Sequence, residues 1–216
     1  MFTSFGLPHV IMLLKGAGLT LILCVSATIL GLIIGFLVGL GSTSKNKVLK
    51  AVCQAYVNVI RGIPLLVILF MIYFGIPMLV RGFHISQMVA SIGGLTIYSG
   101  AYIGEIVRGN VESVPKGQFE ASAALGFNLV QRYLFIILPQ AIRTMIPALV
   151  GFLISLVKDS SLVSIIGYID LTKAGKVVGN VTLHSLEAFL LVSILYFIIC
   201  FGLSRVAKVC EQKLQG

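Results

Sequence analysis

The chain has 216 residues, 58% of them hydrophobic and 11% charged, with a mean hydropathy of +1.06. Too little polar surface remains to cover a water-soluble globule, which excludes soluble enzymes and binding modules and leaves an integral membrane protein of one bundle. The net charge of +9 would suit nucleic acid or anionic lipid. Its basic residues sit in short loops between apolar runs, however, so membrane topology accounts for them and no nucleic-acid partner is implied.

In chain order, residues 1–18, with His9 and Lys15, read as a mildly apolar lead-in lying at the interface. The first long apolar run, 19–40, is too long for a signal-peptide core and lacks a cleavage site, so it is expected to stay as a span over about 19–41. Ala27, Gly31, Gly35 and Gly39 recur at i+4 along it, a ridge that permits close helix packing in lipid. A basic loop with Lys45, Lys47 and Lys50 follows. Span two enters through Arg61-Gly62-Ile63-Pro64, with a kink predicted at Pro64, and runs to about Val80. After a loop with Arg81 and His84, span three covers about 86–107 and carries a second small-residue face at Thr96, Gly100 and Gly104.

From Glu112 to Pro139 runs the one long polar interruption. Pro115 fits a first helical turn, Gly126 a helix end and Asn128 the cap of a second helix. In that second piece Leu129, Tyr133, Ile136 and Ile137 form one apolar stripe. The first piece carries Ala121, Ser122, Ala123 and Ala124, a small-residue face that another surface can approach closely. Two short amphipathic helices of this kind form a plug for a soluble partner.

Span four starts near Ala141 and meets Lys158-Asp159. Asp170, Lys173 and Lys176 then mark solvent, and span five covers about 185–204 before a basic tail. Alternate loops place eleven basic residues on one side (Lys45, Lys47, Lys50, Arg61, Arg108, Lys116, Arg132, Arg143, Arg205, Lys208, Lys213) and five on the other (Lys15, Arg81, Lys158, Lys173, Lys176). The positive-inside rule puts the 112–139 hairpin and the C-terminus in the cytoplasm, with the N-terminus outside. The expected architecture is therefore all-α, five transmembrane helices in a single domain over 1–216.

Candidate chemistry is sparse. Gly175-Lys176 lacks a preceding glycine loop, so no P-loop is present. The histidines at 9, 84 and 184 are scattered, and Cys24, Cys53, Cys200 and Cys210 show no metal or disulfide spacing. Glu105 and Arg108, three apart on one helix face, read as an interfacial ion pair in preference to a gate. At Lys158-Asp159-Ser160-Ser161, span four would be only ~16 residues long if it stopped at Val157, short of the ~20 needed to cross. A break there, with unpaired carbonyls below and N–H groups above, would line a substrate site. Asp159 would attract an ammonium or guanidinium, and Lys158, Ser160 and Ser161 would hold a carboxylate, with Ser99 and Tyr102 of span three on the same cavity. The competing reading makes Lys158-Asp159 a membrane-edge pair that snorkels and caps a helix.

Glu120-Ala121, Gly126 and Ile136-x-Leu138-Pro139 match the spacing of the "EAA" signature, so the chain resembles the permeases of ATP-binding-cassette (ABC) importers; Ser122 stands where that family has a second Ala. Arg61-Gly62-x-Pro64-Leu65-Leu66, Tyr102-x-x-Glu105-x-x-Arg108-Gly109, Val114-Pro115-Lys116-Gly117-Gln118 and Lys158-Asp159-Ser160-Ser161-Leu162 resemble its polar amino acid subfamily, which includes histidine, glutamine and arginine importers. Ile63 departs from the Thr often found there. The resemblance implies a type I importer permease of the bacterial cytoplasmic membrane, working with a second permease copy or homologue, two cytoplasmic ATPase subunits and an extracytoplasmic solute-binding protein. ATP and Mg would be bound by the ATPase and no cofactor by this chain, which is no enzyme itself. The resemblance makes Lys116, Glu120, Ala121, Ser122, Ala123 and Gly126 the ATPase-coupling residues. The implied cargo is a polar amino acid, and Asp159 favours a cationic one. An ATPase-independent secondary transporter or channel remains the alternative, although it should show an internal repeat or pore stripe.

Overall fold

The computed structural model describes residues 5–80 and 82–215, except for the side chains of 210, 211 and 213–215. Arg81 and the side chains of Cys210 and Lys213, all used above, fall outside that description. The described residues form ten α-helices: α1 (Leu7–Ser42), α2 (Lys47–Gly62), α3 (Leu65–Phe70), α4 (Ile76–Leu79), α5 (Gln87–Glu112), α6 (Lys116–Ala124), α7 (Leu129–Arg132), α8 (Leu138–Asp159), α9 (Leu171–Thr182) and α10 (Ser185–Gln215), with no strand among them. Three helical stretches are long and apolar enough to cross a membrane: Leu7–Ser42, Leu129–Ser164 and Ser185–Val209. A fourth is added if Lys47–Gly62 and Leu65–Leu79 form one broken span.

The two small-residue faces read separately from the sequence turn out to be partners. On α1, Ala27, Gly31, Gly35 and Gly39 are buried and run along α5. Ser99 Oγ of α5 donates to the Ala27 carbonyl at 3.2 Å, and a Cβ placed on Gly35 would lie 2.9 Å from the Gly100 carbonyl. The opposite side of α1 exposes Ile22, Val25, Ile29, Ile33 and Leu37, an apolar stripe with no protein against it.

The N-terminal expectation changes. Residues 7–18 are not an interfacial lead-in; they continue α1 without a break. Leu13 and Ala17 are buried with Leu171, Ala174 and Val178 of α9 and with Ala188 and Val192 of α10, forming a second apolar core. The predicted basic loop at 45–50 is helix from Lys47 onward: Asn46 accepts from the Val48 and Leu49 N–H groups and starts α2. The kink expected at Pro64 is a turn of 101°, so α2 and α3 run nearly at right angles.

Two π-turns, Met71–Gly75 and Tyr133–Ile137, each end two residues before a proline, Pro77 and Pro139. Proline cannot donate its i→i−4 hydrogen bond and its ring crowds that carbonyl, so the backbone widens ahead of it rather than breaking. As a result α7 passes directly into α8, and the hairpin's second arm and span four are one continuous helical stretch.

The break expected at 158–161 lies further along. The Ser160 N–H donates to the Leu156 carbonyl and the chain tightens into a 3-10 turn over Ser160–Ser164. Gly167 at φ +94 then reverses it, with the Tyr168 N–H returning to the Val163 carbonyl at 3.3 Å. The carbonyls that were to be unpaired are thus closed. Asp170, expected to mark solvent, is completely buried: Oδ1 caps α9 through the Lys173 N–H at 2.8 Å, and Oδ2 accepts from Tyr196 at 3.3 Å. Burial pushes its carboxyl above the usual carboxylate range, and the N–H groups of Lys173 and Thr172 and the Tyr196 hydroxyl pull it back. Asp170→Ala removes both contacts, and a loss of about 1–2 kcal/mol is expected, read as a lower melting temperature of the purified chain than for Thr144→Ala, whose hydroxyl meets only the carbonyl of its own helix.

Candidate functional site

Along α5, Tyr98, Tyr102, Glu105, Arg108 and Glu112 recur at steps of three and four residues and so share one face, opposite the Ser99–Ile103–Val107 side that meets α1. Tyr98 and Tyr102 stand 4.6 Å apart, and Phe152 of α8 stacks on Tyr102 at 5.5 Å with an interplanar angle of 14°. At one end of this aromatic group the Tyr98 hydroxyl reaches Asp159 Oδ2 at 3.5 Å. At the other end the Arg61 guanidinium sits 5.2 Å above the Tyr102 ring, the range of a cation–π contact.

Charge continues the file. Arg61 Nη1 is 3.6 Å from Glu105 Oε1. Arg108 grips Glu105 with two donors, Nε to Oε2 at 2.9 Å and Nη2 to Oε1 at 2.6 Å, and its Nη1 donates to Glu112. The expected Glu105–Arg108 pair is therefore real, but it is the middle of a network that also holds α2. Arg61 and Glu105 stay 39% and 30% exposed, so water and a ligand both reach the network and its stabilising worth is small. One side chain from each of α2, α5 and α8 thus meets at Tyr102.

The predicted pocket residues separate. Tyr102 and Asp159 join the same group through Tyr98. Lys158 is exposed and Ser161 partly so. Ser99 is completely buried against α1, and Ser160 is completely buried with its hydroxyl on the Val157 carbonyl at 2.8 Å; neither faces the aromatic group. Asp159 makes no side-chain cap of the turn that follows it. Tyr98 and Phe152 were not singled out from the sequence, although Tyr98 lies four residues before Tyr102 and that spacing was the available signal.

At the hairpin, Pro115 sits one residue before α6 and Asn128 caps α7: Asn128 Oδ1 accepts from the Gln131 N–H and Gln131 Oε1 from the Asn128 N–H, both at 2.9 Å. Gly126 takes φ +80; its N–H goes to the Ala123 carbonyl and that of Phe127 to Ser122, a left-handed helix end that glycine adopts without strain. Ser122 is turned inward, its hydroxyl on Phe119, whereas Lys116, Glu120, Ala121, Ala123 and Gly126 are exposed. Glu120 has no hydrogen bond or ion pair among the described residues. The arms are held to the bundle by Phe119 against Tyr133, 6.3 Å between rings, and by Tyr133 with Thr43 at 3.2 Å.

Residues 27–216 match the family described as the inner membrane component of binding-protein-dependent transport systems. The chain belongs to that family. The permease is 34% identical over 213 residues to the arginine transport system permease protein of Bacillus subtilis strain 168, covering 99% of this chain and 97% of that one. It is 36% identical over 208 residues to the glutamine transport system permease protein of Escherichia coli K12, covering 96% and 95%. Among solved structures, it superposes on an amino acid ABC transporter crystallised with histidines at a TM-score of 0.89, with 33% identity and 95% of each chain covered. It also superposes on the inward-facing methionine ABC transporter at 0.75, with 25% identity and coverage of 95% and 99%. The permease is thus a multi-pass protein of the inner membrane.

Proposed function

We propose that the permease is one half of the transmembrane pathway of an ATP-driven amino acid importer. The relatives named above handle arginine and glutamine, and the superposed transporter was crystallised with histidines. Residues 1–216 act as one domain of five spans, with the N-terminus outside and the C-terminus inside. In this reading α5 also crosses the membrane. It falls short on hydropathy because small and polar residues such as Ser91, Thr96 and Ser99 face α1, α2 and α8 instead of lipid. A second permease copy or homologue completes the pathway, a solute-binding protein delivers cargo from outside, and a cytoplasmic ATPase holds ATP and Mg and performs the hydrolysis.

One observation carries this reading: α6 and its Gly126 turn project an exposed small-residue surface from a bundle that is otherwise apolar outside. Glu120 gives that surface a polar contact for the ATPase, and Ala121 and Ala123 allow close approach. Co-purification of the ATPase with the wild-type chain, lost on Ala121→Trp and Ala123→Trp, tests it. Uptake in vesicles lacking any ATPase would favour the secondary-transporter reading.

The cargo site is Asp159 with Tyr98, Tyr102 and Phe152. A carboxylate beside aromatic faces suits an ammonium or guanidinium, and Lys158 and Ser161 lie close in sequence for the cargo's carboxylate. Ser99 and Ser160, buried elsewhere, drop out of the set. Asp159→Asn keeps the shape and removes the charge. It is expected to weaken uptake of arginine, lysine or histidine about tenfold, or 1.4 kcal/mol, and glutamine much less. Equal affinity and rate for all four would leave Asp159 a structural partner of Tyr98.

A further inference from the structure

Between the C-terminal end of α1, the start of α2 and the α7–α8 arm lies an open groove of about 1070 Å³, at the top of the range for small-molecule sites. It is separate from the Tyr98–Asp159 group. Its walls are apolar, with Leu37, Leu129 and Leu134 each more than half exposed. Lys45, Lys116 and Arg132 line it as well. The one carboxylate there, Glu112, is already engaged by Arg108. The groove therefore joins acyl-compatible walls to a net positive rim.

Its position decides the occupant. Leu37 ends the α1 stripe of Ile22, Val25, Ile29 and Ile33, all exposed and four or three residues apart, on the face opposite α5. In a membrane protein that stripe lies against acyl chains, and it leads into the groove. Five residues beyond Leu37 the helix ends, and Lys45 follows, where basic side chains meet headgroups. We propose that the groove seats an anionic phospholipid, its phosphate held among Lys45, Lys116 and Arg132 and one chain laid along Leu37 and Leu134. A zwitterionic lipid fits the walls but carries an ammonium that the three cations repel. Bound there, the lipid bridges α1, α2 and the α7–α8 arm, so the position of the hairpin depends on the charge of the surrounding bilayer.

The chain has no tryptophan, so a single introduced Trp reports its surroundings without background. Leu37→Trp and Ile29→Trp both replace exposed apolar residues of the stripe, the first in the groove and the second outside it. The full chain is reconstituted in vesicles of equal parts phosphatidylglycerol and phosphatidylcholine, with one or the other brominated on its chains. Each basic residue near an anionic headgroup favours it about fivefold. Leu37→Trp is therefore expected to be quenched by brominated phosphatidylglycerol about fivefold or more in preference, and Ile29→Trp equally by both. In the Leu37→Trp background, Lys45→Gln with Lys116→Gln leaves Arg132 as the one cation of the three and is expected to lower the ratio severalfold. Equal quenching of Leu37→Trp by the two lipids, no quenching by either, or a preference undiminished by removal of both lysines each overturns the proposal.

Discussion

Gly39→Ala is expected to lower the melting temperature of the purified permease by about 5–10 °C, and Gly39→Leu to leave almost no folded protein in the membrane. The added Cβ would lie 2.5 Å from Val107 Cβ and 2.7 Å from the Gly104 carbonyl oxygen. Both are fixed points, a branch carbon and a backbone atom, so no rotamer change relieves the contact and α1 must move off α5. Overpacking by one carbon costs about 1–3 kcal/mol, and in a chain of this size each kcal/mol shifts the midpoint by about 2–4 °C. Separation is worse inside lipid than in a soluble core. Helix association there depends on van der Waals contact and interhelical hydrogen bonds, since lipid tails are as apolar as the helix faces they replace. Moving α1 also lengthens the Ser99–Ala27 hydrogen bond of 3.2 Å.

Gly18 is the internal control. It lies on the same helix, but nothing stands within 4 Å of its added Cβ, and Ala is the better helix former by about 1 kcal/mol. Gly18→Ala is expected to melt at or slightly above the wild-type temperature. Fluorescence-detected size exclusion after heating measures all three variants. If Gly39→Ala melts with the wild type, α1 and α5 do not pack as closely as described.

What the sequence disclosed about this packing was half of it. The i+4 spacing of Ala27, Gly31, Gly35 and Gly39 and the small face of Thr96, Gly100 and Gly104 each announced a close contact, but periodicity names a face and never its partner. Local signals did better. The left-handed helix end at Gly126 and the cap at Asn128 are decided within four or five residues, and both stand where composition put them. Asp170 misled because charge is a poor guide to exposure when a carboxylate can cap a buried helix start and take a tyrosine hydroxyl as well. Lys47 and Lys50 misled for a related reason: basic residues suggest a loop, but Asn46 caps a helix through them, and that helix buries Cys53 and Val57. At 158–161 the break was placed too early because a 3-10 turn closes the backbone there without any residue that signals it. Asp159 and Ser160, neighbours in sequence, point about 100° apart on a helix, which divides a motif that read as one site. The file from Tyr98 to Glu112 needs two other helices to become a site, so Arg61 and Phe152 were beyond the reach of spacing alone.

Gly126→Pro is expected to disconnect transport from hydrolysis, with uptake and substrate-stimulated ATPase activity of the assembled transporter down about tenfold or more. Proline fixes φ near −65°, whereas Gly126 sits at +80° and gives its N–H to the Ala123 carbonyl at 3.0 Å. Proline satisfies neither requirement, and it also disfavours the helical backbone of the preceding Leu125, at φ −75° and ψ 2°. The angle between α6 and the α7–α8 arm is then lost. In the proposed mechanism that angle carries force from the ATPase to Pro139 and on through α8 to Phe152 and Asp159. Coupling free energies of about 1–3 kcal/mol correspond to 5–150-fold effects, which sets the expected size. Gly126→Ala separates geometry from bulk. Nothing lies within 4 Å of its Cβ, so it costs only the left-handed backbone strain of about 1–2 kcal/mol, and an intermediate loss is expected. Both variants should retain the melting temperature of the bundle within a few degrees, because Gly126 packs against no other helix. A Gly126→Pro transporter that assembles and keeps full substrate-stimulated hydrolysis and uptake would remove the hairpin from the transmission route, leaving the Arg61–Glu105–Arg108 network to link the helices instead.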